Sequence, residues 1–244
     1  MGSMLYVAIT TCPDVAFAVS HLTRFNQNPN EEYHRAVDRV IQFLHGTRYK
    51  AIGYGGDTGR EGAQAFIYAS DASFADNSAD RKSSQGYMMM LFNGPVSWRA
   101  NKQDTVTTSS TEAELLALSQ TAKEAIFMSR LFKALTLILR EPLTIDCDNR
   151  QTLRLATEDS AKLVTKLRHV DIHNHWLRQE NARGSIILQW KATKDMIADG
   201  LTKALPGQRF KAFVEMIGMV DIQGRLQNEK RLEDLRERLL ATKD

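Results

Sequence analysis

The stretch FIYASDASFAD, residues 66–76, is an apolar run that ends at an acidic side chain. Its composition indicates a buried strand that stops at Asp71, with further acids at Asp76 and Asp80. A carboxylate at the end of a buried strand costs desolvation free energy unless another group pairs with it. The stretch therefore predicts a central strand and, at its end, a site where positive charge balances the acids.

The patterns on either side of this strand predict a layered α/β fold. Asn93-Gly94 is a strong signal for a hairpin turn between two further strands. The expected strands lie at 64–70, 85–92, 95–99, 143–147 and 185–192, and the expected helices at about 111–139, 149–157, 166–183 and 196–205. The order β-β-β-α-β-α-α-β-α predicts a mixed sheet flanked by helices.

Composition divides the chain into four parts. We expect a helical segment at 1–47, a glycine-rich linker at 48–63, the α/β domain at 64–206 and a helical C-terminal tail at 207–244. The tail carries an amphipathic stripe at Leu232, Leu235 and Leu239, which is too short to predict a coiled coil.

The chain has the composition of a protein of the cell interior. It has no apolar run of 18 residues and no secretory signal pattern at its N-terminus. Its two cysteines, Cys12 and Cys147, are not in a metal-binding spacing, and we expect both to be reduced. These features predict an intracellular protein, cytoplasmic or nuclear, that is neither secreted nor bound to a membrane. The oligomeric state is not predicted.

Four acids lie at the ends of predicted elements: Asp71, Glu114, Asp148 and Asp199. In an open α/β sheet, functional groups collect at the carboxyl ends of strands. Clustered carboxylates repel one another unless divalent cations lie between them, and two Mg²⁺ ions in such a site can support phosphodiester cleavage. A structural interpretation stays open, because Asp148 can be a helix N-cap and Glu112 or Glu114 can complete a capping box.

Five sequence blocks resemble one known family. SDASFAD…DRKSSQGY, VSWRANKQDTVTTSSTEAELLALS, IDCDNRQTLRLA, HVDIHNHWLRQE and IADGLTKAL are similar to the RNase H region of copia-type retrotransposon polyproteins. The resemblance covers roughly residues 2–205, and its first part is similar to the end of the reverse transcriptase. The motif of polymerase catalysis is absent, so we do not expect this chain to polymerise DNA.

The resemblance implies an RNase H-like fold and a role for each of the four acids. Asp71, Glu114, Asp148 and Asp199 match the metal-binding catalytic acids, and the ELxA context favours Glu114 over Glu112. It implies two Mg²⁺ ions, with Mn²⁺ as a substitute, and hydrolysis of the RNA strand of RNA–DNA hybrids. A separate or upstream reverse transcriptase polymerase domain is the implied partner.

Basic residues predict where the nucleic acid lies. Residues 162–205 carry eight basic and four acidic side chains, which favours contact with a polyanion. The expected phosphate contacts are Arg99, Lys102, Gln103, Lys162, Lys166, Arg168 and Lys203. The loop before Asp199 has no histidine, in contrast to many RNases H, so His169, His173 and Lys194 are possible auxiliary residues.

Two other functions stay open at this stage. The chain could be an RNase H-fold module retained by a host, which binds nucleic acid or a partner without cleavage. It could also be a member of the same fold that cuts DNA.

Overall fold

The computed structural model describes residues 1–55, 66–137, 143–158 and 160–230. The helices in this part of the chain are α1 (Gly2–Thr10), α2 (Ala16–Thr23), α3 (Glu31–Gly46), α4 (Ser110–Ala134), α5 (Arg150–Thr157), α6 (Arg168–Ala182), α7 (Asp199–Thr202) and α8 (Gly207–Met216). The strands are β1 (Lys50–Ile52), β2 (Phe66–Ser73), β3 (Ser84–Leu91), β4 (Gly94–Lys102), β5 (Thr144–Cys147), β6 (Ile187–Trp190) and β7 (Met219–Asp221). Short 3-10 turns lie at Pro13–Val15 and Thr193–Asp195.

The central sheet has five strands in the order β4-β3-β2-β5-β6. The pairs β2–β3 and β3–β4 are antiparallel, whereas β2–β5 and β5–β6 are parallel. From β2 to α7 the elements follow the order that the sequence predicts. The prediction of an RNase H-like α/β fold with a mixed sheet is therefore confirmed.

The β3–β4 hairpin turns one residue earlier than predicted. Leu91 pairs with Gly94, so Phe92 and Asn93 form the two-residue loop. Both have positive φ, 50° and 66°, which is the conformation of a type I′ turn. Gly94 is needed for another reason, because a Cβ atom there would lie 2.5 Å from the ring of Tyr54.

The two faces of the sheet are covered by different helices. Helices α4, α5 and α6 pack on one face, where Tyr68, Leu118 and Ile145 are fully buried. Helices α7 and α8 and the N-terminal segment cover the other face, around Met88 and Phe213. The long helix α4 begins at an N-cap, Ser109, whose hydroxyl accepts a hydrogen bond from the Glu112 amide.

The predicted linker and tail contribute to one small sheet. Strand β1, within the predicted linker 48–63, pairs antiparallel with β7, within the predicted tail 207–244. Residues 56–63 of that linker and the leucine stripe of the tail lie outside the described residues. The indole of Trp98, in β4, donates a hydrogen bond to the carbonyl of Ala8 in α1, at 2.8 Å. The segments on both sides of the predicted domain therefore pack against it.

Among the described helices, none is both long enough and apolar enough to cross a membrane.

Candidate metal centre

The parallel pairing of β2 with β5 brings two acids side by side. Ala69 is paired with Asp146, and both strands run in the same direction, so Asp71 and Asp148 follow two residues later at the same edge. Asp71 is 1% exposed, whereas Asp148, just beyond the end of β5, is half-buried. The meeting of two carboxylates is thus a consequence of strand register.

Helix α7 brings the third acid to this edge. Asp71 pairs with Gly86 across β2 and β3, and a Cβ atom at Gly86 would lie 2.7 Å from the Cβ of Leu201. The missing side chain lets α7 approach the sheet closely, with Asp199 at its first position. Ligand oxygens of Asp71, Asp148 and Asp199 all lie within 4.8 Å of one another.

Cationic and hydroxyl groups of the chain surround these oxygens. Lys203 Nζ lies 2.8 Å from Asp199 Oδ1 and 3.7 Å from Asp71 Oδ2. The hydroxyl of Thr202 donates a hydrogen bond to Asp71 Oδ2, and that of Thr193 donates to Asp148 Oδ2 at 2.8 Å. Hydrogen bonds and ion pairs therefore fix the carboxylates of all three acids.

The two glutamates of α4 have different surroundings. Glu112 Oε2 accepts hydrogen bonds from the amide of Thr108 at 2.6 Å and from its hydroxyl at 2.8 Å. Glu112 Oε1 accepts one from the hydroxyl of Thr165. Glu114 is 6% exposed, and the charges of Asp71 and Asp148 act on it, although it lies outside the three-acid group. Glu112 thus caps the helix, and Glu114 faces the cluster.

Two of the buried acids, Asp71 and Glu114, have raised pKa values. Burial raises the pKa of Asp71 to about 6; Lys203 opposes this rise and the charge of Asp199 adds to it. Burial, with the charges of Asp71 and Asp148, holds the pKa of Glu114 well above its usual range. Although burial alone would lower the pKa of Lys203, the acids around it raise that pKa.

The donor set fits a divalent metal ion. Carboxylate oxygens are the ligands that Mg²⁺ and Mn²⁺ prefer, and three side chains offer them within 4.8 Å. Among the described residues, the buried Glu114 Oε2 has no hydrogen-bond partner, which leaves one oxygen beside the cluster free to bind a cation or its water shell.

The predicted phosphate contacts are distributed over several surfaces. Lys162 and Lys166 are exposed on the stretch before α6, and Arg168 is exposed at the first position of that helix. Thr165 ties this stretch to Glu112 at the start of α4. Lys203 lies in the acid cluster itself.

The remaining three phosphate candidates lie along β4. Arg99 is exposed, and Lys102 pairs with Asp80 at 2.6 Å. Gln103 is 3% exposed, and its amide nitrogen donates to the carbonyl of Ala113 at 2.8 Å. Because this contact holds Gln103 under α4, we remove it from the predicted nucleic-acid surface.

The two histidine candidates lie between α4 and α6, whereas Lys194 follows Thr193 in the turn that holds Asp148. His173 Nδ1 is 3.0 Å from the Ser119 hydroxyl, and burial lowers its pKa, as do the charges of Lys123 and His169. His169 and His173 line a cavity of about 220 Å³ between α4, α6 and β3. Lys194 is exposed on the 3-10 turn before α7.

The sequence analysis missed three side chains at the site. Arg209, in α8, pairs with Asp199 Oδ2 at 2.6 Å. The indole of Trp190 donates a hydrogen bond to the Asp148 carbonyl at 3.3 Å, and the guanidinium of Arg150 stacks on the Trp190 ring at 3.9 Å. Only the basic character of Arg150 and Arg209 is visible in the sequence, and that character is shared by many exposed residues.

The chain was compared with known proteins. No family model matches it. It is 33% identical over 219 residues to the "Retrovirus-related Pol polyprotein from transposon TNT 1-94" of Nicotiana tabacum, which covers 90% of this chain and 16% of that protein. It is 37% identical over 129 residues to "Secreted RxLR effector protein 161" of Plasmopara viticola, which covers 53% of this chain and 88% of that protein.

The chain thus spans about a sixth of the length of the Pol polyprotein it matches. Among solved structures, it is similar to the N-terminal RNase H domain of a Mycobacterium tuberculosis protein. That similarity has a TM-score of 0.41 and 10% identity, and it covers 62% of this chain and 96% of the other.

Proposed function

Since this chain belongs to the family of copia-type retrotransposon Pol polyproteins, we propose that it is a nuclease that hydrolyses the RNA strand of RNA–DNA hybrids. The observation that carries the proposal is the approach of Asp71, Asp148 and Asp199 to within 4.8 Å at the carboxyl edge of the sheet. Three carboxylates this close together repel one another, and Lys203 and Arg209 supply only two positive charges beside them, so a divalent cation fits the charge that remains.

Each acid has a distinct part in the proposed site. Asp71, the most deeply buried of the three, would be the central metal ligand, and Asp148 and Asp199 would each supply a further carboxylate oxygen. Glu114 is the fourth acid of the site, because it is buried beside Asp71 and its Oε2 has no partner among the described residues. When bound, two Mg²⁺ ions supply positive charge that stabilises the attacking and leaving oxygens of a phosphodiester.

The chain's own residues orient the site. The hydroxyls of Thr202 and Thr193 fix the carboxylates of Asp71 and Asp148 by donating hydrogen bonds to them. We propose that cleavage leaves a 5′-phosphate and a 3′-hydroxyl, and that Mn²⁺ replaces Mg²⁺.

The proposed substrate surface is the exposed basic stretch before α6. Thr165 anchors this stretch to Glu112, which lies two residues before Glu114 on α4. Lys162 and Lys166 are exposed on the same stretch, close to the end of α4 that carries Glu114. Contacts to 2′-hydroxyls and to the backbone would recognise the hybrid by its shape, without reading base identity. Within a polyprotein, the reverse transcriptase polymerase would supply this hybrid, and residues 1–47 would be the end of that enzyme.

A cleavage assay with the whole chain tests this function. We expect Mg²⁺-dependent cutting of the labelled RNA strand of a hybrid, and none of duplex DNA. Asp148→Asn should reduce cleavage to background while the fold is kept, because Asp148 is only half-buried. The control is Asp195→Asn, which removes an exposed acid from the 3-10 turn beside the site.

Three results would overturn the proposal or its site. Near-wild-type cleavage by Asp148→Asn would mean that the catalytic acids lie elsewhere. Tight hybrid binding by the wild-type protein without cleavage would support a non-cleaving binding module. Cutting of duplex DNA in preference to hybrid would identify a DNA nuclease of the same fold.

A further inference from the structure

Helix α8 packs directly on the short helix that carries Asp199. Phe213 is 1% exposed, and a Cβ atom at Gly200 would lie 2.6 Å from the Phe213 ring. Val214 and Ile217 are buried in the same cluster as Leu201. The predicted C-terminal tail therefore begins with a helix that is fixed against the acid cluster.

Arg209 extends from the first turns of α8 to the far side of Asp199. Its Nη2 lies 2.6 Å from Asp199 Oδ2 and 3.4 Å from the carbonyl of Thr193, to which it also donates. The hydroxyl of Thr193 in turn donates to Asp148 Oδ2 at 2.8 Å. One guanidinium thus connects Asp199 with the turn that holds Asp148.

Lys203 contacts Asp199 in a different way. Its Nζ approaches the other carboxylate oxygen, Oδ1, and also lies 3.7 Å from Asp71 Oδ2, so it is placed between two acids of the cluster. Arg209 therefore pairs with Oδ2 of Asp199, whereas Lys203 pairs with Oδ1. A planar guanidinium with several fixed donors constrains orientation better than a flexible ammonium group does.

We propose that Arg209 is a positioning residue for the metal site: it fixes the Asp199 carboxylate and, through Thr193, the turn beside Asp148. The inference rests on the proposed function, because it requires that the acid cluster binds divalent cations. It also makes α8 a part of the site, although the five sequence blocks that resemble the family end before it. Partners that orient a metal-binding carboxylate usually strengthen metal binding.

Titration of the whole chain with Mn²⁺, followed by the electron paramagnetic resonance signal of the free ion, tests the inference without measuring catalysis. We expect Arg209→Ala to weaken Mn²⁺ binding about tenfold or more, the range typical of such orienting contacts. Arg209→Lys should recover part of this affinity, since it keeps the charge and one donor. It also provides a second variant if Arg209→Ala unfolds.

The matched control is Lys211→Ala, which removes a positive charge from an exposed position two residues along the same helix. It should leave Mn²⁺ affinity unchanged. Unchanged affinity in Arg209→Ala would overturn the inference, and tighter binding would do the same, because Arg209 would then act only as a competing charge. If the wild-type protein bound no Mn²⁺, the proposed function would fail together with this inference.

Discussion

Glu112 and Glu114 lie two residues apart on α4, and their carboxylates have opposite electrostatic surroundings. Burial would raise the pKa of Glu112, but its hydrogen bonds from Thr165, Thr108 and Ser109 lower that pKa overall. Burial and two neighbouring acids hold the pKa of Glu114 well above its usual range. The fold therefore stabilises the ionised form of Glu112, whereas ionisation of Glu114 costs free energy.

This difference predicts opposite results for two conservative substitutions. Glu112→Gln should lower the free energy of unfolding by about 1 kcal/mol and leave most cleavage activity, because it weakens a helix cap. Glu114→Gln should keep or raise stability at neutral pH and abolish cleavage. Urea unfolding and hybrid cleavage, measured on both variants, check the pair. If Glu112→Gln lost activity and Glu114→Gln kept it, Glu112 would be the acid of the site and Glu114 the residue that caps the helix.

The raised pKa of Asp71 predicts how stability depends on pH without metal. The pKa is about 6 in the folded protein and close to 4 in the unfolded chain, so the folded state retains a proton that the unfolded state has lost. Stability should therefore fall as pH rises from about 4 to about 6. Asp71→Asn should remove this contribution, which is on the order of 2–3 kcal/mol, and be more stable than wild type at pH 7.

Urea unfolding in EDTA at several pH values measures this effect. Saturating Mg²⁺ should flatten the profile of the wild-type protein, since a bound cation favours the ionised carboxylate. If the stability of Asp71→Asn fell with pH as steeply as that of wild type, the Asp71 carboxylate would not be the group that governs this pH dependence.

Lys203 should affect metal binding in the opposite direction from Arg209. Its Nζ lies between Asp71 and Asp199, so its charge opposes a divalent cation at the same oxygens. Lys203→Met should tighten Mn²⁺ binding roughly threefold to fivefold, the equivalent of a charge contact worth about 1 kcal/mol. The same variant should be less stable in EDTA, because two buried acids lose a counter-charge. Weaker Mn²⁺ binding would mean that Lys203 orients the acids instead.

The exposed basic stretch predicts a dependence of hybrid binding on salt. Removing the charges of Lys162, Lys166 and Arg168 together should flatten the plot of log affinity against log salt by up to roughly one unit per lost contact. Affinity for hybrid, duplex RNA and single strands should fall alike, because phosphate contacts carry no sequence information. Titrations on an Asp148→Asn background prevent cutting.

The control for this measurement is Arg35→Ala with Arg39→Ala, two exposed positions on α3. An unchanged slope in the triple variant would move the hybrid toward Arg99 and Lys102 on β4. A slope that flattens equally in the control would indicate a general effect of net charge.

The sequence predicted the sheet because its signals are local. Alternation and apolar runs identify β2, β3 and β5, and strand register then brings Asp71 beside Asp148 without further information. The hairpin was predicted from Asn93-Gly94, but positive φ at Phe92 shifted the turn by one residue. Phe92 can adopt a positive φ here because the paired strands on both sides determine the geometry of the two-residue turn.

The rest depends on contacts that no local pattern encodes. Strands β1 and β7 are three residues each and lie far apart in sequence, so neither has a detectable alternation. Arg209 follows the five sequence blocks that resemble the family, and in the sequence it looks like any exposed arginine until α8 is packed. The sequence around Gln103 predicts an exposed polar residue in a loop. Only the fold shows that its amide is buried under α4.

The pairing of β1 with β7 brings together the entry and exit of the segment that contains the five-stranded sheet. Lys50 is opposite Asp221 in an antiparallel ladder, where paired Cα atoms are about 5 Å apart. Everything between them, including the acids and Arg209, is a closed loop of chain that starts and finishes at the same point. Because the chain enters and leaves at adjacent strands, further chain can continue from both ends without disturbing the path of the sheet, as is common for domains of longer polypeptides.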